Sequence, residues 1–431
     1  MDTETAAKNG IALLTLAEKF VEKSLLALLV LIPVGVLYFS MYKIWPGLEL
    51  QPHDFKAVTV QPLAPEHSTP RLLRISRGES EVRQVVFAKV HKAASTTVQN
   101  ILLRFSVFRA LNILLSKRQH QIGERTDLIQ GIVPHPEGNN KTFDILCVHL
   151  IFNASNVAKF FSDSAIRIAI LREPLKQTVS ALAYYSKNFP SKILKRGRAK
   201  HPQDPINGFL RHPEDFYDFG NGPAFSYVNN RMSVDLGFDR TNFETGKTNV
   251  SKIEAFIKQV EEQFDLVLIS DYFDESMVLM RRYLNWAMKD IIYIKRNAAH
   301  FPKDSVWHRD INRNATVMER FRTWNLIDYK LYEHFEPKFL DTIKQEQLFK
   351  EEVSAYAEIL SKVSNFCLRD AARTKIFHIP ESEWTEEFAV TEFDCKLMLL
   401  SEMKFIKYAR LLQRARFNQT NNKMYEGKVH K

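Results

Sequence analysis

Two short segments bring together residue types suited to holding anions. In the first, Val85-Val86-Phe87-Ala88-Lys89-Val90-His91-Lys92-Ala93-Ala94-Ser95-Thr96-Thr97, an apolar run of strand length enters a basic loop of small residues and then a helix start. A helix N-terminus offers backbone N–H groups, and Lys92 beside it makes the segment a candidate cradle for a phosphate-like group. The second, Ile170-Leu171-Arg172-Glu173-Pro174 with Ser180 further on, repeats the strand, loop, helix plan and sets an arginine and a serine eight residues apart. Two such cradles on successive strands imply a ligand with two phosphate-like groups. The chain has only 14 glycines and no G-x-x-x-x-G-K-[ST] segment, which argues against a kinase or nucleoside triphosphatase loop.

Taken singly, each residue has a plainer reading. Lys92 would be a surface lysine ahead of hydroxyl N-caps, Ser180 a small helix residue, and Arg172 a partner of Glu173 or Asp163. Taken together they favour a ligand crevice, because an arginine at the C-terminal end of a strand in an α/β sheet points to where ligands bind.

The elements that must position these residues follow from apolar periodicity. Strand-length apolar runs cover 85–90, 143–149, 166–171, 266–270 and 291–294. Helical patterns lie between them: one with Val98, Ile101, Leu102, Phe105 and Phe108 on a single face, one from Pro174, and others over 253–264, 274–288 and 316–335. Such alternation predicts an α/β fold with a central parallel sheet flanked by helices. Trp324, Tyr329 and Tyr332 fall at spacings that suit core packing. The basic run Lys192, Lys195, Arg196, Arg198 and Lys200 reads as a solvated loop, with a lid over the ligand or a patch for anionic headgroups or an acidic glycan as alternatives.

The 431 residues, 45% of them hydrophobic, suffice for one large core or two smaller ones. A net charge of +10 suits nucleic acid, an anionic membrane or an anionic small ligand without choosing among them. The 19 residues from Ser24 to Tyr42 lack a charged side chain and would span about 28 Å as a helix, so a membrane anchor is expected there. The division expected is 1–23 cytosolic tail, 24–42 transmembrane anchor, 43–82 proline-containing stem, 83–345 catalytic domain and 346–431 helical extension with no evident functional residue. Sequons at Asn140, Asn153, Asn249, Asn314 and Asn418 would be usable if the long C-terminal part is lumenal. The three cysteines exclude a disulfide-built scaffold or a Cys-rich zinc module; Cys367 could pair with Cys395, but the sequence does not fix the connectivity.

The two cradle segments resemble those of the galactose 3-O-sulfotransferase family. Further segments resemble that family in its order: Ser233-Val-Asp-Leu-Gly-Phe238, Phe264 to Ser276 with Arg281-Arg282, Asp290 to Lys295, and Trp324 to Tyr332. The resemblance runs from about residue 83 to 340. It implies a P-loop-like sulfotransferase fold and a Golgi, single-pass type II enzyme. Such an enzyme moves the sulfuryl group of 3′-phosphoadenosine 5′-phosphosulfate to the 3-hydroxyl of a terminal β-galactose on a glycolipid or glycoprotein glycan. Lys89, Lys92, Ala93, Ala94, Ser95, Thr96 and Thr97 would then hold the 5′-phosphosulfate, and Arg172 and Ser180 the 3′-phosphate. Neither a metal nor a nucleic-acid partner is expected, and homodimerisation is left open.

His149, ending the apolar run 143–149 at the same crevice edge and opening the family-like segment to Asn153, is the expected general base, since histidine titrates near neutrality. His91 is the second candidate, as a donor to the transferring group. Asn153 is assigned to the acceptor in preference to a glycan, which leaves Asn140, Asn249, Asn314 and Asn418 as glycosylation positions. Leu150 and Ile151 stand where relatives tend to carry a basic residue, which bears on acceptor preference. The readings that compete are sulfation of a uronic acid or hexosamine of a glycosaminoglycan, and a membrane-anchored glycan-binding protein without catalysis.

Overall fold

A computed structural model describes residues 80–118, 121–123, 129–138, 141–187, 192–241, 243–295, 311, 314–370 and 374–429. The expected anchor at 24–42, the stem as far as residue 79, and Asn140 lie outside the described residues. Among the described residues no helix is long and apolar enough to cross a membrane.

The strands in chain order are Val85–Ala88 (β1), Gln121–Gly123 (β2), Ile145–Leu146 (β3), His149–Leu150 (β4), Ile166–Leu171 (β5), Leu266–Ile269 (β6), Ile376–Ile379 (β7) and Phe388–Thr391 (β8). The central sheet has the order β3-β1-β5-β6 and every pairing in it is parallel. β1 is buried at each of its positions, as an inner strand covered on both faces must be. Because the chain leaves β1 for β3 on one side and then crosses to β5 on the other, a crevice opens at the C-terminal ends of β1 and β5. Lys89 and Arg172 are the residues that directly follow those two strands.

The helices used below are Ser95–Phe108 (α1), Pro174–Lys187 (α2), Lys192–Lys200 (α3), Arg231–Asp235 (α4), Val250–Gln263 (α5), Phe273–Leu284 (α6), Leu326–Gln345 (α7), Phe349–Asn365 (α8), Glu392–Leu399 (α9) and Glu402–Val429 (α10). α6 and α7 both pack on β6, α5 lies against α7, and α9 and α10 both lie against α1.

Four expectations are corrected, each for a visible reason. The run 143–149 is two strands, not one, because Gln99 Nε2 donates to the Cys147 carbonyl at 2.7 Å between β3 and β4, and β4 pairs with β2 in a separate sheet. The apolar run 291–294 is no strand: Ile291 closes a short helix, Tyr356 Oη takes its carbonyl at 2.7 Å, and the Arg104 guanidinium takes that of Ile292. The pattern over 316–335 is two helices broken at Asn325, whose side-chain oxygen accepts from the Asn230 N–H at 2.7 Å. The basic run 192–200 is a helix, α3, which buries Leu194 and Gly197 and turns its cations outward.

The segment after 345 is mixed and not simply helical, since β7 and β8 form an antiparallel pair within it. It is tied to the sheet-bearing part by Glu352, which is fully buried and accepts from Arg281 at 2.7 Å and from Arg282 at 2.6 Å. Cys367 and Cys395 form a disulfide between the turn after α8 and helix α9, and Cys147 is a buried free thiol. Burial pushes the Cys147 pKa up to about 12, so it is inert as a nucleophile.

Candidate functional site

The loop after β1 makes its turn without glycine. Lys92 and Ala94 adopt left-handed backbone conformations, with φ of 61° and 58°, and no side chain caps the first turn of α1. That turn therefore keeps the anion affinity of an open helix N-terminus. The strain of two left-handed residues, of order 1–2 kcal/mol each, is held by the second segment. Arg172 donates to the Lys92 carbonyl at 2.9 Å and Gln177 to the His91 carbonyl at 3.1 Å.

The expected donor-loop residues do not all serve alike. Lys92 Nζ lies 3.8 Å from the centroid of the Tyr184 ring. Burial first, then the neighbouring charges of Arg172 and Lys89, lower its pKa to about 8, with Glu402 opposing. Ala94 and Thr96 are exposed and Thr97 partly so, whereas Ala93 is buried. Ser95 is buried and its hydroxyl donates to the Val90 carbonyl at 2.5 Å, so its side chain holds the loop and offers no donor to a ligand. The Thr97 N–H is likewise used, donating to the Ala94 carbonyl at 3.0 Å.

At the second cradle, the Glu173 carboxylate accepts from the N–H groups of Leu175 and Lys176 at 3.1 and 2.8 Å, closing the N-terminus of α2 to an outside anion. What remains there for an anion is side chains: Arg172, and Ser180, which is partly exposed two turns into α2.

His149 and His91 come together as a stacked pair, ring centroids 3.9 Å apart at an interplanar angle of 16°. His91 is buried, and residue His149 is partly exposed. His149 Nδ1 lies 3.1 Å from the Lys89 carbonyl, which can only accept, so the proton sits on Nδ1 and Nε2 carries the lone pair. That lone pair faces the Lys89 ammonium at 3.0 Å. Burial, then His91, Lys89 and Arg231, hold the His149 pKa well below the usual histidine value, so the ring is neutral at physiological pH.

His91 is held by Asp235, which accepts from its backbone N–H and from Nδ1, both at 2.8 Å. Asp235 also pairs with the fully buried Arg231 at 2.7 Å. Burial alone would push the Asp235 pKa up, but Arg231 and His91 hold it below the usual carboxylate range. Asp235, Arg231, Gln177 and Glu402 are the residues that sequence reasoning missed. Asp235 lies inside a segment already marked by resemblance, and Arg231 stands one helical turn before it; for Gln177 and Glu402 there was no local signal.

Asn153 stands three residues beyond β4, and its side-chain oxygen caps a short helix by accepting the Asn156 N–H at 3.0 Å. Asn249 and Asn314 are exposed helix N-caps, and Asn418 is exposed on α10. Both caps use the amide oxygen to accept a backbone N–H.

Gly237 joins the two histidine supports. Its φ is 94°, and a β-carbon there would stand 2.4 Å from the Phe152 carbonyl oxygen, in the segment that follows His149. Gly237→Ala is expected to lower stability by about 2–4 kcal/mol. The check is the urea midpoint at unchanged m-value; a midpoint matching the parent would remove this constraint.

Lys89, Lys92, Arg172 and the uncapped turn of α1 are a donor set for a phosphate-like anion. The comparisons with known proteins agree with that chemistry. Residues 12–379 match the family model described as galactose-3-O-sulfotransferase. The chain is 34% identical over 269 residues to human galactose-3-O-sulfotransferase 3, an alignment covering 62% of this chain and 58% of that protein's length. It is 30% identical to mouse galactose-3-O-sulfotransferase 2, over 70% of this chain and 74% of that one, and 30% identical to human galactosylceramide sulfotransferase, over 68% and 66%. With a match that spans the donor loop, both histidines, Arg172 and Asp235, the chain belongs to the galactose-3-O-sulfotransferase family.

Proposed function

We propose that this protein transfers the sulfuryl group of 3′-phosphoadenosine 5′-phosphosulfate to the 3-hydroxyl of a terminal β-galactose on a glycolipid or glycoprotein glycan. The observation that supports this best is the meeting, at one sheet edge, of three cationic side chains, an open helix N-terminus and a neutral imidazole. When bound, the donor supplies an activated sulfuryl group on a phosphate leaving group.

The protein's own groups divide the work. Lys92 and the first turn of α1 neutralise charge on the leaving phosphate and on the equatorial oxygens of the group in flight. Arg172, with Ser180, suits the 3′-phosphate, and its bond to the Lys92 carbonyl ties the two ends of the donor site together. His149 takes the acceptor's hydroxyl proton at Nε2, with its tautomer set by the bond from Nδ1 to the Lys89 carbonyl. Asn153, three residues beyond β4, is assigned to the acceptor sugar.

The Cys367–Cys395 disulfide and exposed sequons at Asn249, Asn314 and Asn418 support a lumenal catalytic part. With the apolar stretch 24–42 they fit a type II Golgi membrane protein.

The test is sulfate transfer from labelled donor by the full chain, offered galactosylceramide, lactose-type glycans and desulfated glycosaminoglycan side by side, with the product linkage mapped. Transfer to galactose O-3 is expected. Transfer only to glycosaminoglycan would reassign the acceptor, and donor binding without transfer would leave a glycan-binding protein in its place.

A further inference from the structure

A second carboxylate reaches the donor loop from far along the chain. Glu402, first residue of α10, sets Oε1 2.7 Å from Lys89 Nζ and Oε2 3.4 Å from Thr96 Oγ1. The Lys89 side chain is wholly buried and the Glu402 side chain one-fifth exposed, so this ion pair stands at the boundary between core and crevice. Residue 402 lies past the stretch that matches the family model.

A buried ammonium needs a counter-charge, and here Glu402 supplies it. The groups it touches are those an incoming phosphosulfate would use: an ammonium and a hydroxyl on the open turn of α1. Two anions brought close together in a half-buried site repel strongly, so carboxylate and donor cannot share the cradle unrelieved. Lys89 Nζ is also the group facing the His149 lone pair. An ammonium drawn toward the donor leaves both Glu402 and that lone pair.

We propose that Glu402 is the resident anion of the donor cradle, which the donor's phosphosulfate displaces, and that withdrawal of Lys89 from His149 Nε2 on displacement is what makes the base available. The proposal rests on the donor reading above and assigns that site a self-occupied resting state. Donor binding and base release then become one event, and an acceptor arriving first meets a masked histidine.

The experiment is calorimetric titration of the full chain with 3′-phosphoadenosine 5′-phosphate, more than a unit below the Lys92 pKa of about 8 so that this lysine keeps its charge. Glu402→Gln is expected to bind roughly tenfold more tightly than the parent, about the effect of removing 1.4 kcal/mol of competition. In turnover it should lower the KM for the donor by a similar factor. Glu402→Asp, whose shorter arm draws the carboxylate back by one methylene, should shift the same way and serves if the glutamine variant folds poorly. Equal or weaker nucleotide binding in both variants would overturn the resident-anion role and leave the donor site standing. No binding by parent or variants would overturn the donor site itself, and this proposal with it.

Discussion

Lys92→Met lowers kcat by about 10²–10³-fold, the loss expected when a fixed cation aimed at developing charge is removed from an enclosed site. Methionine keeps an unbranched side chain of similar length but removes the ammonium 3.8 Å from the Tyr184 ring centroid, so the packing is largely kept and the charge is not. A pH profile separates the electrostatic role from a packing one. Because burial and two neighbouring cations lower the Lys92 pKa to about 8, the ammonium is present below that value and lost as pH rises through it. In the parent, kcat/KM for the donor therefore falls above about pH 8, since that parameter reports the free enzyme. In Lys92→Met that limb is absent. A variant retaining parental turnover, or the same alkaline limb, would remove Lys92 from the chemistry.

His149→Gln costs about 10²–10⁴ in kcat, the range for a positioned general base. Glutamine can still donate to the Lys89 carbonyl but has no lone pair basic enough to take a hydroxyl proton, so the loss isolates proton transfer. The parental pH dependence carries a second signature. Burial and the cations around it hold the His149 pKa well below 6.5, so the neutral form persists as pH falls through the ordinary histidine range and is lost only well below it. An acid limb centred near 6.5 would point to some other, solvent-exposed group as the base. A variant with parental kcat would do the same.

The local features of the site were readable because they rest on short-range rules. An apolar run followed by a basic loop and hydroxyl residues announces a strand feeding a helix N-terminus, and β1 and α1 stand where that pattern puts them. β5 covers the same residues the apolar run marked, with Arg172 directly after it. Three of the failures share one cause, hydrogen bonds between backbone groups and distant side chains. Ile291 to Ile294 are apolar and buried like a strand, yet Tyr356 and Arg104 take the carbonyls a sheet neighbour would need. Asn325 ends a helix that periodicity would continue, because Asn230, 95 residues earlier, needs its side-chain oxygen.

From its sequence alone this protein declared the parallel α/β plan, the two strand-end cationic segments and a histidine near them. Those follow from periodicity and from what a strand end offers to an anion. The tertiary structure alone decided which of those groups face a ligand and which hold one another. It set Ser95 to bracing the loop, closed the N-terminus of α2 with Glu173, stacked His91 beneath the reach of solvent on an Asp235–Arg231 pair, and brought Glu402 to Lys89 across 313 residues. Hydrogen bonds and ion pairs of that separation have no local sequence signal, since either partner alone reads as an ordinary polar residue until the fold brings the two within reach.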